Sequence, residues 1–230
     1  MKIGVLSIKY ILPIGLALAL FSIAMAQANE PVLILSWSAD TNVPSGYEGK
    51  TLPVLDSTIT ASADLIERDK FLDLSSAEFI WSVDGDAYGI RLGAQTFSFP
   101  VRQARGANHW VRLEMTLRGQ AYEQDLFIPI SSPQLVIAAQ TPDSLLRAGK
   151  NTLNALAYFF SVDSKERDLA FSWQVDGENV PVADNEKQDE LILEIPEGAE
   201  SGSEIAISVS GQSGLNALEF ASGDIVMRIK

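Results

Sequence analysis

Apolar and polar residues alternate with a period of two along most of the chain. In residues 110–119, WVRLEMTLRG, every second residue from Val111 to Leu117 is apolar. The same alternation recurs in residues 57–66 and 204–211, whereas no stretch after the first 28 residues has a helical period. Alternation of this kind is typical of strands that bury one face. The pattern predicts a nearly all-β chain.

The order of the predicted strands repeats once. FIWSVDGDAYG at residues 79–89 corresponds to FSWQVDGENVP at residues 171–181, and both begin Phe-x-Trp-x-Val-Asp-Gly. The two tryptophans, Trp81 and Trp173, are 92 positions apart (173 − 81), and six predicted strands in each half occur in the same order, the middle four at offsets of about 92 to 96 positions. The repeat predicts two tandem domains that meet near Ser131–Pro133, with a short junction that favours a stiff pair.

The spacing of strands and turns predicts the architecture of each domain. Six or seven short strands in about 100 residues are typical of an immunoglobulin-like β-sandwich, in which a Trp on the third strand packs across the core. Trp81 with Phe79, and Trp173 with Phe171, fall on the third predicted strand of their copies and point to one face. We therefore predict these four residues to be structural core, followed by a tight Asp-Gly turn.

The first 28 residues have the layout of a secretory signal peptide. Lys2 and Lys9 form a basic start, Tyr10–Ala26 is an uncharged apolar run, and AMA or AQA supplies small residues for cleavage. The run is shorter than the roughly 20 residues of a spanning helix, so an uncleaved leader that anchors the chain is the alternative. We predict export to an extracellular or cell-surface location. The predicted units are a signal-peptide helix at 1–28 and β-sandwiches at 29–132 and 133–230.

Charge and cysteine content narrow the classes of partner. Residues 1–28 hold two of the 17 basic residues and none of the 30 acidic ones, so the remainder has 15 basic against 30 acidic residues, a formal −15. Such a surface disfavours nucleic acid and anionic lipid as partners. The chain has no Cys, so each domain must be stabilised by apolar packing without disulfides.

Two resemblances follow from particular segments. WSVDGD, residues 81–86, resembles the WDFGDG stretch of PKD domains, which implies an immunoglobulin-like, PKD-like fold on extracellular proteins. The whole chain after the leader resembles a family of exported proteins from candidate-phyla bacteria with small genomes, which has no established activity. That resemblance implies location and architecture and no site residues. The segments that carry it are LSWSADTNVPSGYEGKTLP, LFIPISSP, LAYFFSV, FSWQVDG and LNALEFA.

The usual catalytic residue sets are incomplete. His109 is the only histidine and there is no Cys, so Ser/His/Asp and Cys/His triads and His-ligated zinc sites lack parts. We interpret His109 as a residue at the start of a strand, and we predict that the chain is not an enzyme and needs no cofactor.

Calcium is the metal that the acidic turns would favour. Asp84 and Asp86 flank the first Asp-Gly turn, and Asp176 and Glu178 flank the second. Hard cations take oxygen ligands, but the spacing of a complete calcium loop is absent. Solvated acidic loops are the preferred interpretation, with a calcium site at these four residues as the alternative.

Two further segments contain candidate ligand-binding residues. Residues 38–53 form a long loop without an equally long counterpart in the second copy, and Tyr47 lies in it. The alternative to ligand binding is a structural role in which this loop covers the end of the sandwich. Arg102, Arg105 and Trp110 concentrate cations and an aromatic ring in an otherwise acidic chain. They would suit a carboxylated glycan or an acidic protein, whereas a solvated loop is the more common role of such a segment.

The leading functional hypothesis is a non-catalytic structural or interaction module at the cell surface. It would present two rigid β-sandwiches to another envelope or pilus-associated protein. The alternative is an adhesin or carbohydrate-binding module, stabilised by calcium in one version, that uses exposed aromatic side chains on glycan.

Overall fold

The described chain consists of strands, turns and loops and contains no helix, so the predicted all-β class is confirmed. Accordingly, the described residues include no helix with the length and apolar character needed to span a bilayer. The predicted signal-peptide helix lies outside the described residues. The computed structural model describes residues 30–103, 106–139, 144–161, 169–181, 187–214 and 216–230.

Among residues 30–103 and 106–129 there are nine strands, and in most of the long ones buried and exposed side chains alternate. In β8, for example, every second residue from His109 to Leu117 is buried while those between them face outwards or lie half-buried. The strands are β1 (Val32–Ala39), β2 (Thr41–Asn42), β3 (Thr58–Glu67), β4 (Lys70–Phe71), β5 (Glu78–Val83), β6 (Asp86–Leu92), β7 (Thr96–Pro100), β8 (Asn108–Leu117) and β9 (Gln120–Pro129).

Two antiparallel sheets form the first domain. One contains β1, β3 and β7 with the short β4, and the other has the order β6-β5-β8-β9. Side chains from both sheets, such as Ile59 and Leu65 on β3 and Leu113 and Met115 on β8, fill the space between them. The chain passes repeatedly from one sheet to the other, which is the connectivity of an immunoglobulin-like sandwich.

The second half repeats this arrangement. One sheet has the order β10-β12-β16, and the other has the order β11-β18-β17-β14-β15, in which the two-residue β11 pairs in parallel with β18. The strands are β10 (Gln134–Ala139), β11 (Leu145–Leu146), β12 (Gly149–Tyr158), β13 (Phe160–Ser161), β14 (Leu169–Val175), β15 (Glu178–Val180), β16 (Glu190–Ile195), β17 (Glu204–Ser213) and β18 (Phe220–Ile229).

Each sandwich has a core of its own. The first core extends to Ile130 and includes Phe79, and the second begins at Leu135, with Phe171 half-buried against it. Two tandem immunoglobulin-like β-sandwiches are thus confirmed. The bounds 29–132 and 133–230 stay a prediction.

The two repeated tryptophans occupy equivalent places. Trp81 is 2% exposed and Trp173 is fully buried. The indole N–H of Trp81 donates to the carbonyl of Ala94 at 3.0 Å, and that of Trp173 donates to the carbonyl of Gln188 at 3.0 Å. A buried indole N–H needs such an acceptor. The backbone just before β7 provides it in the first domain, and the backbone just before β16 provides it in the second.

Apart from the two-residue strands β2, β4, β11 and β13, two strands were missed by the sequence prediction. It gives six strands in each copy, whereas the structure adds β6 after the first Asp-Gly turn and β15 after the second. All seven residues of β6 are exposed, so this strand lacks the alternation that identifies the others. The sheet that contains β6 has four strands, whereas the facing sheet has three long strands. β6 therefore lies past the edge of the facing sheet and outside the core.

Candidate functional site

An open groove lies in the first domain where β6 extends past the facing sheet. It has a volume of about 800 Å³ and lies between β6, the edge strand β7 and the segment that leads into β8. We call it the β6–β7 groove. Its polar and aromatic lining includes Asp84, Asp86, Tyr88, Arg91, Phe97, Arg102, Gln103 and His109.

Asp84 organises one end of the groove. Its backbone is left-handed, with φ of 54°, which turns its carboxylate back towards the start of β8. The carboxylate accepts hydrogen bonds from the backbone N–H of Trp110 at 2.9 Å, from Gln103 Nε2 at 2.8 Å and from His109 Nδ1 at 2.6 Å. Three donors on one carboxylate fix the loop on one side of the groove to the turn on the other.

The charge of Asp84 follows from these contacts. Burial raises the pKa of its carboxyl group, but the hydrogen bonds from Trp110, His109 and Gln103 outweigh burial and hold the pKa below its ordinary value. Asp84 is therefore ionised at neutral pH. Since a carboxylate only accepts, Nδ1 of His109 carries the proton of their hydrogen bond.

His109 is a buried side chain, which the interpretation as a simple strand-start residue did not include. It is 3% exposed, and its ring packs edge-on against Phe99 with centroids 5.4 Å apart. Its Nε2 is buried and has no hydrogen-bond partner among the described residues. The Asp84–His109 pair thus resembles the base and orienting residue of a triad, without a nucleophile on Nε2 in the described part of the chain.

Cations and aromatic rings line the rest of the groove. Arg91 and Arg102 are both exposed, and neither makes an ion pair or hydrogen bond with any described residue. Tyr88 is 45% exposed, and the centroid of its ring lies 4.7 Å from the centroid of the Phe97 ring. Arg105, predicted with Arg102 as a ligand contact, lies outside the described residues.

The second Asp-Gly turn has the same backbone role. Asp176 is also left-handed, with φ of 50°, and its carboxylate accepts from the backbone N–H of Ala206 at 2.9 Å. Its own N–H donates to the Ala206 carbonyl at 2.8 Å, as that of Asp84 does to Trp110 at 2.8 Å. The repeated aspartate therefore connects the end of β5 to the start of β8 in the first domain, and the end of β14 to the start of β17 in the second.

The calcium hypothesis gains no further ligands from this geometry. The carboxylates of Asp84 and Asp176 accept hydrogen bonds from N–H groups, while Asp86 and Glu178 begin the following strands. Within the described ranges, no group of three or more His, Cys, Asp or Glu residues is arranged to hold a metal ion. A calcium site at these four residues stays a prediction.

Trp110 lies outside the groove, on the outer face of β8 and β9. It is 36% exposed and stacks on Phe127, with ring centroids 6.5 Å apart and planes 9° apart. Its indole N–H donates to Asp125 at 3.0 Å, and the Arg112 guanidinium, itself hydrogen-bonded to Asp125, lies 4.8 Å from the ring centroid. The structure therefore separates Trp110 from Arg102, its predicted companion.

Tyr47 lies at the contact between the two domains. Its ring packs edge-on against those of Tyr158 and Phe159, with centroids 5.7 and 5.9 Å away. The tip of the ring also covers Gly49, where any Cβ would lie 2.4 Å from the Tyr47 ring. The loop at 38–53 thus belongs to a contact with the second domain.

Strand pairing and a hydrogen bond extend this contact. β2 from the first domain pairs antiparallel with β13 from the second, joining Asn42 to Phe160. Asn216 Nδ2 donates to the Asp56 carboxylate at 3.1 Å. We call these groups together the interdomain interface. Its members are β2, Tyr47 and Asp56 of the first domain and Tyr158, Phe159, β13 and Asn216 of the second.

Comparisons with known proteins identify no family. No family model and no curated protein matches the sequence. Of the solved structures, the three N-terminal domains of the highly immunogenic outer capsid protein of bacteriophage RB49 align over 86% of this chain and 59% of that one, with 12% identity and a TM-score of 0.40. The chain therefore spans less than two thirds of that fragment.

Two other alignments are weaker still. Fibronectin(III)-like modules of Clostridium thermocellum CbhA align over 85% of this chain and 93% of that one, with 16% identity and a TM-score of 0.29. SGBP-B of Bacteroides ovatus, solved with a mixed-linkage heptasaccharide, aligns over 88% and 47%, with 13% identity and a TM-score of 0.25. Likeness at this level carries no argument about function, and the predicted resemblance to candidate-phyla proteins stays a prediction.

Proposed function

We propose that the chain is a non-catalytic, exported interaction module that holds two β-sandwiches in a fixed relation for another cell-surface or pilus-associated protein. The observation that carries this proposal is the interdomain interface. A module that bound a small ligand with one domain would need no fixed second domain. A fixed pair suits a macromolecular partner that contacts both domains at once.

The interface is built from elements that the sandwich fold itself does not require. Residues 38–53 contribute β2 and Tyr47, whereas the second copy has a shorter segment at this place. Phe159 adopts a left-handed backbone with φ of 59°, which costs a bulky residue roughly 1 kcal/mol. Its N–H donates to the Asn42 carbonyl at 2.6 Å, so the strained residue serves the contact between domains.

The non-catalytic part of the proposal rests on the site chemistry. The Asp84–His109 pair has a buried Nε2 without a partner in the described chain. Within the described residues Nε2 of His109 meets no nucleophile and no cluster is arranged to hold a metal ion, so we assign this pair the role of supporting the loop at the end of the groove rather than bond cleavage. The exported part of the proposal rests on the predicted leader.

The test is a crosslinking capture from an envelope extract of the producing organism, with residues 29–230 as bait. Both cores lie within these residues, so the bait retains them. We expect one defined protein that crosslinks to both domains, and a several-fold lower yield with Tyr47→Ala. The control Phe71→Ala removes a 73% exposed aromatic residue at the other end of β3 and should leave the yield unchanged.

Two results would oppose the proposal. One is the absence of any protein that crosslinks to both domains. The other is an equal yield from Tyr47→Ala and wild type, because orientation of the domains would then be irrelevant to binding.

A second candidate function, carbohydrate binding, is favoured by the β6–β7 groove. Aromatic rings beside unpaired polar groups are the usual lining of a saccharide site. This function is compatible with a protein partner elsewhere on the chain, since the groove and the interdomain interface share none of the residues named for either.

A further inference from the structure

The two arginines of the β6–β7 groove are unusual for this chain. After the leader, acidic residues outnumber basic ones two to one, yet Arg91 and Arg102 line one groove with no described partner. Arg112 and Arg228, by comparison, are both paired with carboxylates on their own sheet. Two unpaired guanidinium groups at one concave site form a receptor for a carboxylate.

The second domain shows that the fold does not require these residues. A smaller concavity of the second domain, beside β15, has a volume of about 390 Å³. The described residues that line it are uncharged: Phe171, Ser172, Asn179, Val180, Pro181 and Gln188. His109 immediately precedes Trp110, whose N–H bonds Asp84. In the second domain Ile205 immediately precedes Ala206, whose N–H bonds Asp176, so Ile205 occupies the position of His109. The shared turn therefore needs neither the histidine nor the cations.

The remaining lining matches the other groups of a sugar acid. The rings of Tyr88 and Phe97 form an aromatic wall on which the apolar face of a pyranose ring can stack. Asp86 and Thr96, which also line the groove, can hydrogen-bond to ring hydroxyls. The volume of about 800 Å³ lies within the range of roughly 300–1,000 Å³ that ligand sites occupy.

The buried end of the groove is preorganised. The side chains of Gln103 and His109 are both held by Asp84, so these two groups are fixed to the turn before any ligand arrives. A rigid site loses less conformational entropy on binding.

We infer that the β6–β7 groove binds an acidic saccharide, a pyranose sugar that carries a carboxylate, with Arg91 and Arg102 on the carboxylate and Tyr88 against the ring. This inference names the ligand class for the second proposed function and rests on it. It is independent of the protein partner proposed for the domain pair.

Isothermal titration calorimetry with defined oligosaccharides tests the inference. The probes are trigalacturonate and sialyllactose, and the matched controls are their methyl esters, which keep the sugar and remove the charge. We expect at least one acid to bind and its ester to bind about tenfold more weakly or not at all. The affinity should also fall with added salt, because the contact is ionic.

Single variants assign the site. Arg91→Gln and Arg102→Gln should each weaken binding about tenfold, and Tyr88→Ala should weaken it too. Arg118→Gln is the matched control, because it removes an exposed arginine at the other end of β8 and should leave affinity unchanged. These arginines are exposed, so folding should be retained, and circular dichroism of each variant checks this.

Several outcomes would overturn the inference: no binding of any acid, equal binding of acid and ester, or equal effects of Arg102→Gln and Arg118→Gln. Binding of a peptide with a free C-terminal carboxylate, but of no saccharide, would also overturn it and assign the groove to a protein terminus. Capture of a protein by the domain pair would remain unaffected in each case, so failure of the two proposals is distinguishable.

Discussion

At the residue scale, the repeated aspartates explain why the two copies share one motif. Asp84 and Asp176 both adopt a left-handed turn, and each accepts a hydrogen bond from the backbone N–H of the third residue of a strand, Trp110 of β8 and Ala206 of β17. The motif is thus a turn with a side-chain hydrogen bond, preceded by a buried tryptophan. Only Asp84 has also acquired side-chain donors, from Gln103 and His109.

This difference predicts unequal costs of the same substitution. Asp84→Asn keeps the shape and removes the charge that three donors stabilise, so we expect a loss of about 1–3 kcal/mol of unfolding free energy. Asp176→Asn loses one charge-assisted bond and should cost less. Urea unfolding, with hydrogen exchange to assign each transition to a domain, measures both. An equal cost would contradict the special role of Asp84.

The pKa of Asp84 gives the sign of a pH effect. Its pKa is lower in the folded chain than the ordinary value near 4, so the ionised form stabilises the folded state above that pH. This stabilisation is lost as the pH falls through the lower, folded-state pKa. The difference in unfolding free energy between wild type and Asp84→Asn should therefore be full at pH 7 and shrink below about pH 4. A difference independent of pH would show that the charge is irrelevant.

At the element scale, periodic strands could be predicted from the sequence and β6 could not. β3 and β8 bury every second residue, so alternation revealed them, and Trp81 and Trp173 marked the third long strand of each copy. β6 is exposed along its whole length and pairs irregularly with β5, with a register shift between Ile80 and Ser82. The groove residues Tyr88 and Arg91 lie on it and were missed for this reason.

Long-range contacts were equally invisible in the sequence. In the sequence, nothing distinguishes His109 from another residue at the start of a strand. Its partner Asp84 is 25 positions away (109 − 84) and comes beside it only in the folded chain. The pairing of β2 with β13 joins segments from different domains, and β2 has only two residues. The Asp-Gly pair predicted a tight turn at Asp84. Because such turns commonly join two paired strands, this pair was also the signal in the sequence from which β6 could have been predicted.

A glycine tests whether β6 depends on its connection to β7. Gly93 has φ of +66°, and an added Cβ would lie 2.9 Å from the backbone carbonyl oxygen of Ser75. Gly93→Ala should therefore cost more than the roughly 1 kcal/mol of left-handed strain alone. Gly119→Ala is the control, because Gly119 has φ of +82° and open space around it. Hydrogen exchange should show β6 amides losing protection in Gly93→Ala and unchanged in Gly119→Ala; equal behaviour would contradict this account.

At the scale of the whole molecule, two sandwiches with separate cores are joined by more than a linker. The interdomain interface combines aromatic packing around Tyr47, the β2–β13 pairing and the Asp56–Asn216 hydrogen bond. We propose that contacts of this kind hold the two domains in one orientation without adding much to the stability of either. Loss of the interface should therefore change the relative motion of the domains and leave both folded.

Residual dipolar couplings of residues 29–230 in a weakly aligning medium test this central claim most directly. If the two domains are held as one body, a single alignment tensor fits the amide couplings of both in the wild-type chain. Tyr47→Ala should require two tensors of different magnitude, while Phe71→Ala should still require one. A wild-type chain that needed separate tensors for its two domains would contradict the account.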